Sequence, residues 1–255
     1  MIDLLSGSII LAAGIVAGLI NAVAGAGTLI TFPTLLALGY SPVVANVSNT
    51  VGLVPASIAG AYSFRRELKG QWRAVCWMAT LSALGGVAGA VALLVLPAEN
   101  FSTVVPFLLL VAAALSAVQP RVARWVRRRS AEAPGDTRHL TAGLIIGVFA
   151  TGVYGGYFGA AQGVVLLALL GILWSTDLNR SNGAKNVLAG VANIMSAALF
   201  IASGTVDWAV ALLVGVGSGV GGWLGGRVGR KLPAPVLRGI LVTVALVAAL
   251  VLFVT

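Results

Sequence analysis

The stretch NAVAGAGTLITFPTLLALGYSPVVANVSNTVGLVPASIAGAYSFRREL, residues 21–68, contains the pattern from which the fold is predicted. Gly25 and Gly27 interrupt an apolar segment, and glycine lowers helix stability and lets the backbone turn. A short apolar piece, 28–39, follows the break, and a longer one, 42–64, runs into a basic loop. Interrupted helices of this kind are tolerated inside a membrane where they line a protein cavity.

Composition places the whole chain in a bilayer. Of its 255 residues, 59% are hydrophobic and only 9% are charged, whereas soluble domains carry about a quarter charged residues. A soluble enzyme, a disordered chain and a disulfide scaffold are therefore poor interpretations. Cys76 and His139 are the only residues of their types, so we expect neither a metal site nor a cofactor.

The apolar segments predict an all-α integral membrane protein with about eight full transmembrane helices plus two short broken segments. The full segments run over 8–24, 42–64, 74–96, 101–118, 140–160, 178–202, 208–226 and 239–254. The short pieces 28–39 and 163–174 lack the roughly 20 residues that a span needs. The positions of the basic loops favour pieces that cross as tilted or broken spans, and re-entry is the alternative.

The chain repeats itself at an offset that aligns 24–97 with 160–233. Equivalent positions include Asn46 with Asn182, Trp72 with Trp208, Gly27 with Gly163, and Leu96-Pro97 with Leu232-Pro233. We therefore divide the chain into a first transmembrane repeat (1–118), a basic connector (119–138) and a second repeat (139–255).

Charge indicates that the two repeats are inverted. The basic loop 65–73 aligns with 201–209, which has no Lys or Arg, and the loop 97–100 aligns with the basic loop 227–238. Basic loops stay in the cytoplasm, so equivalent loops lie on opposite sides of the membrane, as in many secondary transporters. The connector carries six arginines, and we expect it to be cytoplasmic and partly disordered. If the short pieces also cross the membrane, both chain termini lie outside.

Polar residues cluster around the two breaks and the helices that follow them. Because polar groups in lipid are costly, they are functional or paired, and broken helices at matching positions mark substrate sites. The predicted substrate-binding residues are Asn21, Gly25, Gly27, Thr28, Asn46, Asn49, Gln162, Gly163, Asn182, Lys185 and Asn186. The alternative for the asparagines is hydrogen bonding that holds helices together.

Lys185 is the candidate cation for an anionic substrate. It lies about two turns inside the segment 178–202, and its equivalent in the first repeat is the neutral Asn49. The alternative is a lysine that extends to the membrane surface or pairs with Asp177. All acidic residues lie near segment ends, so a buried carboxylate proton relay lacks its residue. We therefore expect export driven by the membrane potential.

The segment 21–68, together with GGYFGAAQGVVLLALLGI (155–172) and LNRSNGAKNVLAGVANI (178–194), resembles the TauE/SafE family of sulfite exporters. The resemblance implies a multi-pass transporter of the bacterial inner membrane that exports sulfite or an organosulfonate such as sulfoacetate. It implies no enzymatic activity.

An anion channel, or a transporter for another small carboxylate or sulfur compound, is the alternative. The expected partners are a small anion and the lipid bilayer, without nucleic acid. The oligomeric state stays open, and a homodimer is compatible with the sequence.

Overall fold

The computed structural model describes residues 3–132, 141–175, 177–228 and 234–254. In these ranges the chain forms helices and no strands. The helices are α1 (Leu4–Ala24), α2 (Thr28–Ala37), α3 (Pro42–Gly52), α4 (Val54–Ser63), α5 (Trp72–Val95), α6 (Ala98–Glu132), α7 (Ala142–Tyr157), α8 (Gln162–Leu173), α9 (Leu178–Ser203), α10 (Trp208–Val228) and α11 (Ala234–Val254), with a 3-10 turn at Arg65–Leu68.

Helix length and composition confirm an all-α integral membrane protein. Among the described residues, six segments are long and apolar enough to cross a membrane: α1, α3 with α4, α5, α6, α9 and α10. The apolar helices α2, α7, α8 and the described part of α11 are shorter. The segment 42–64 is divided at Leu53, where Pro55 follows in the first turn of α4; proline removes a backbone donor and disfavours a continuous helix.

Helices α7 and α8 form an antiparallel hairpin. A methyl group at Gly143 would lie 3.6 Å from the side chain of Leu173, at the open end of the pair. At the other end, the side chain of Gln162 lies against Gly155. Both ends of this hairpin therefore lie at the same end of the bundle.

Helices α1 and α2 form the corresponding hairpin at the opposite end. Helix α1 runs parallel to α10, because Gly217 packs on Leu11 and Gly225 packs on Leu19. The chain after α2 returns to the start of α10, because the backbone N–H of Asp207 donates to the Ser48 hydroxyl of α3 at 2.9 Å. Helix α1 thus begins, and α2 ends, at the end of the bundle where α10 begins.

These hairpins correct the preferred sequence-based expectation that the short pieces complete a crossing. Each short helix returns beside the helix before it. The two hairpins cannot both complete a crossing, because they open at opposite ends of the bundle while the Gly163 N–H at one tip donates to the carbonyl of Gly25 at the other. A hairpin adds no net crossing, so the basic loop 65–73 still shares one end of the bundle with the connector. Re-entry and three crossings give the same order of basic loops, and charge alone does not separate them.

The connector also differs from expectation, because α6 continues without a break to Glu132. Its beginning is therefore helical rather than disordered. Residues 133–140, with Arg138 and His139, lie outside the described residues, as do Arg230 and Lys231 of the second basic loop.

Helix contacts recur at the offset of the sequence repeat. The Ser82 hydroxyl of α5 donates to the carbonyl of Leu188 at 2.9 Å, and the Ser218 hydroxyl of α10 donates to the carbonyl of Gly52 at 2.6 Å. Ser82 and Ser218 are equivalent, as are Leu188 and Gly52. The two most extensive helix pairings, α1 with α10 and α5 with α7, are equivalent in the same way.

Candidate functional site

The tips of the two hairpins meet inside the molecule. The backbone N–H of Gly163 donates to the carbonyl of Gly25 at 3.4 Å. Gly25 ends α1 in the left-handed region, at a φ of 70°, which glycine adopts without steric cost. A methyl group on Gly25 would lie 2.7 Å from the Cα of Gly163. Only glycines allow the two breaks to approach this closely.

Helices α2 and α8 both begin at this meeting point. Their N-cap residues are Gly27 and Ala161, and neither supplies a side chain to cap the first turn. Ala161 has a φ of 58°, an uncommon conformation for a residue with a Cβ. Helix N-termini carry a partial positive charge that favours anions, although the N–H groups of Gln162, Gly163 and Val164 already donate to backbone carbonyls. The positive ends of α2 and α8 therefore both lie at the contact between Gly25 and Gly163.

The second tip is held by hydrogen bonds within its own hairpin. The Tyr154 hydroxyl donates to the carbonyl of Ala160 at 2.5 Å, and Gln162 Nε2 donates to the carbonyl of Thr151 at 3.2 Å. Gln162 is buried. Its amide therefore fixes α8 against α7, which is a structural role for a residue predicted to bind substrate.

Helix α3 joins the two hairpins through two asparagines. Asn49 is fully buried, and its amide donates to the Thr28 hydroxyl at 3.3 Å while its oxygen accepts from the Thr31 hydroxyl. One turn earlier, Asn46 Nδ2 donates to the carbonyl of Tyr157 at 3.0 Å. Asn46 Oδ1 is buried without a hydrogen-bond partner among the described residues. Asn49 therefore uses its whole amide in hydrogen bonds between helices, as the alternative interpretation expects, whereas Asn46 uses only its Nδ2 group.

Asn21 belongs to a second polar group, centred on Ser57 of α4. Asn21 Nδ2 and Asn193 Nδ2 lie 3.5 Å and 3.3 Å from the Ser57 hydroxyl. Sequence reasoning did not select Ser57, although it aligns with Asn193 at the repeat offset. That alignment is the signal that identifies it.

Lys185 and Asn186 are buried side chains, and each has a donor group without a partner among the described residues. Lys185 is only 1% exposed, and in the described part of the chain its ammonium makes no hydrogen bond or ion pair. Asp177 instead caps α9 by accepting from the backbone N–H groups of Asn179 and Arg180. Asn186 Nδ2 is buried and unpaired within the described ranges. The surface and ion-pair alternatives for Lys185 therefore do not apply.

Asn186 lies close to the first hairpin. Its carboxamide carbon and the Cα of Ala22, near the end of α1, lie 3.6 Å and 3.7 Å from the Cβ position of Gly60. Asn182, one turn earlier on α9, is half-buried. The structure thus brings together the hairpin tips and the two asparagines of α3, and it places Asn186 of α9 beside the first hairpin.

Aromatic rings surround the second tip, and sequence reasoning missed them. The Phe158 ring packs edge-on against Phe32 of α2 at a centroid distance of 5.2 Å and against Phe101 of α6 at 6.2 Å. All three rings are buried. No spacing in the sequence relates these three residues, because the contact depends on how the helices pack. The described residues contain no group of His, Cys, Asp and Glu side chains that could hold a metal ion.

Comparison with known proteins confirms the family resemblance along almost the whole chain. The family described as "Sulfite exporter TauE/SafE" matches residues 10–252. A probable membrane transporter protein of Haemophilus influenzae is 28% identical over 221 residues, which cover 85% of this chain and 82% of that protein. Probable membrane transporter protein ORF9 of a Sinorhizobium species is 29% identical over 240 residues, covering 93% and 88%. No solved structure gives a significant match.

The chain therefore belongs to the sulfite exporter TauE/SafE family and is a multi-pass membrane transporter. Another similar protein, probable membrane transporter protein YfcA of Escherichia coli, is 27% identical over 79% of this chain and 72% of its own length. The family is one of membrane transporters rather than enzymes.

Proposed function

We propose that this chain is a secondary transporter of the bacterial inner membrane that exports a small anion, either sulfite or an organosulfonate. The substrate binds between the hairpin tips and α9. Its bacterial relatives are named probable membrane transporter proteins, and the family description contains the words sulfite exporter. The chemistry of the site supports an anionic substrate for this chain.

The observation that carries the proposal is the buried side chain of Lys185, whose ammonium has no partner among the described residues. A lysine at the centre of a transmembrane helix costs about 2.5–3.5 kcal/mol. Lys185 lies about two turns inside α9 and offsets none of its own cost by an ion pair among the described residues. An anionic substrate supplies the missing partner. The free Nδ2 of Asn186 is a further donor, and the positive dipole ends at the starts of α2 and α8 favour the same charge.

The repeat suggests how the site reaches both sides of the membrane. We propose that the two repeats are inverted and that one moves against the other, which alternately opens the site to each side. Three observations support this: the hairpins enter from opposite ends, the serine contacts recur at the repeat offset, and equivalent loops carry opposite charge.

The positions of the acids support export driven by the membrane potential. Among the described residues, Asp3, Asp177 and Asp207 precede helices, Glu67 lies in the 3-10 turn, Glu99 lies in the first turn of α6, and Glu132 ends α6. None offers a carboxylate for a proton relay at mid-membrane. A negative interior drives an anion outward with about 2.3 kcal/mol per charge per 100 mV.

The test is anion flux in proteoliposomes that contain the purified protein. Sulfite, sulfoacetate, thiosulfate and sulfate are compared, with protein-free liposomes as the control. We expect saturable counterflow of sulfite or an organosulfonate that accelerates when the potential favours anion exit. Flux that ignores the potential and follows a pH gradient would contradict the driving force. Flux that does not saturate would favour a channel, and no flux of any of the four anions would contradict the substrate class.

A further inference from the structure

The outer face of α6 carries a cluster of basic and aromatic side chains that the transport proposal does not use. Arg121, Arg124, Trp125 and Arg128, here called the arginine–tryptophan cluster, line a cavity of about 260 Å³ on this one helix. All four side chains are exposed. Arg124 Nε donates to the carbonyl of Pro120 at 3.4 Å, which fixes that arginine close to the helix.

The cluster continues a stripe of exposed apolar side chains on α6. Phe107, Val111 and Val118 are 55%, 50% and 43% exposed, and Trp125 follows on the same face at 42%. The opposite face is turned into the protein, where Val126 is fully buried and packs against Gly171 of α8. The stripe thus faces lipid tails, and the arginines lie where the same face leaves the hydrocarbon.

Distances along α6 match half a bilayer. The apolar span runs over Ala98–Val126, and Val111 lies near its middle. Arg121 lies ten residues further, which is about 15 Å along a helix, and half of the hydrocarbon core is also about 15 Å thick. A lipid tail packed along the stripe therefore ends with its phosphate beside the arginines and Trp125, a residue type that anchors helices at membrane interfaces.

We propose that the arginine–tryptophan cluster binds the headgroup of an anionic phospholipid of the inner leaflet, whose tail packs along the exposed stripe of α6. Guanidinium groups bind phosphate through paired hydrogen bonds. Three arginines on one face complement a net negative headgroup better than a zwitterionic one. The site is separate from the hairpin tips, so it anchors α6 rather than binding the transported anion.

The test measures lipid affinity of the purified full-length protein in detergent, by native mass spectrometry and by the rise in unfolding temperature. The probes are phosphatidylglycerol, phosphatidylcholine with the same tails, and inorganic phosphate. We expect phosphatidylglycerol to bind and to stabilise more than phosphatidylcholine. Replacing Arg121, Arg124 and Arg128 with Gln should weaken phosphatidylglycerol affinity by about 100-fold, since each basic residue near the surface contributes about fivefold.

A matched control removes the same charge from another basic loop. Arg66, Lys69 and Arg73 are also exposed, and replacing all three with Gln should leave phosphatidylglycerol affinity within about twofold of the original. An equal loss in this control would mean general charge attraction and overturn the proposal. Unchanged affinity in the α6 variant, or equal stabilisation by inorganic phosphate alone, would also overturn it. If the Gln variant does not fold, the Lys triple variant serves instead, and we expect it to lose several-fold because paired hydrogen bonding is lost.

Discussion

Asn49 and Lys185 occupy equivalent positions of the two repeats, yet their surroundings differ. Asn49 is hydrogen-bonded to Thr28 and Thr31 of the first hairpin. The positions equivalent to these threonines are Val164 and Leu167, which offer Lys185 no hydrogen bond. One position therefore stabilises the fold, and we propose that the other supplies the cation that binds the anion.

This contrast predicts that one asparagine substitution mainly affects stability and another mainly affects transport. Asn49→Ala should lower the unfolding temperature, because it leaves buried hydroxyls unpaired at a cost of about 1–3 kcal/mol. Asn186→Ala should reduce anion flux several-fold with little change in unfolding temperature, because Asn186 Nδ2 has no partner to lose. Thermal unfolding and proteoliposome flux on both variants check this. A large loss of stability in Asn186→Ala, with flux per folded protein unchanged, would contradict it.

At the scale of the elements, the hairpin tips depend on close backbone approach. Gly25→Ala should impair transport and folding, because the new methyl group meets Gly163 and its positive φ is strained as well. Gly39 provides the control, with a φ of 87° and no atom within 4 Å of its Cβ position. Gly39→Ala should cost only the left-handed strain of about 1–2 kcal/mol. Equal losses of flux and unfolding temperature in both variants would show that the tip contact is unimportant.

Helix α10 allows the same comparison for interhelical packing. A methyl group at Gly221 would collide with the carbonyl of Ile15 on α1, whereas at Gly215 the nearest atom beyond its own helix is the Gly52 carbonyl oxygen, at 3.9 Å. Small residues allow such close contacts between membrane helices. Gly221→Ala should lower the unfolding temperature, and Gly215→Ala should maintain or raise it, since alanine favours helix by about 1 kcal/mol. Thermal unfolding in one detergent measures both, and the reverse order would contradict the packing described.

The sequence predicted these elements better than their path through the membrane. Gly25, Gly27 and Gly163 identified the breaks in the apolar segments, and α2 and α8 begin within one residue of the predicted starts at 28 and 163. Re-entry could not be deduced, because crossing and returning segments give the same order of basic loops. The burial of Lys185 without a partner also required the structure, since a lysine two turns into a helix can often extend to water. Phe158 packs against residues far away in sequence, which no local pattern reveals.

For the whole molecule, the positions of the basic loops predict one orientation in the membrane. In a Cys76→Ser background, a membrane-impermeant maleimide should label Asn100→Cys and Thr205→Cys from outside intact spheroplasts. Lys69→Cys should be labelled only after the membrane is opened. All three positions are exposed, so accessibility depends on sidedness alone. Labelling of Lys69→Cys in intact spheroplasts would contradict the orientation and the export direction.

The most direct measurement of anion transport through this site compares Lys185→Gln with Lys69→Gln. Both changes remove one positive charge, but Lys185 is buried in α9 and Lys69 is exposed in a loop. In proteoliposomes with equal amounts of folded protein, sulfite flux should fall at least tenfold in Lys185→Gln and stay within about twofold of the original in Lys69→Gln. Normal saturable flux in Lys185→Gln would contradict the assignment of Lys185 to the anion site.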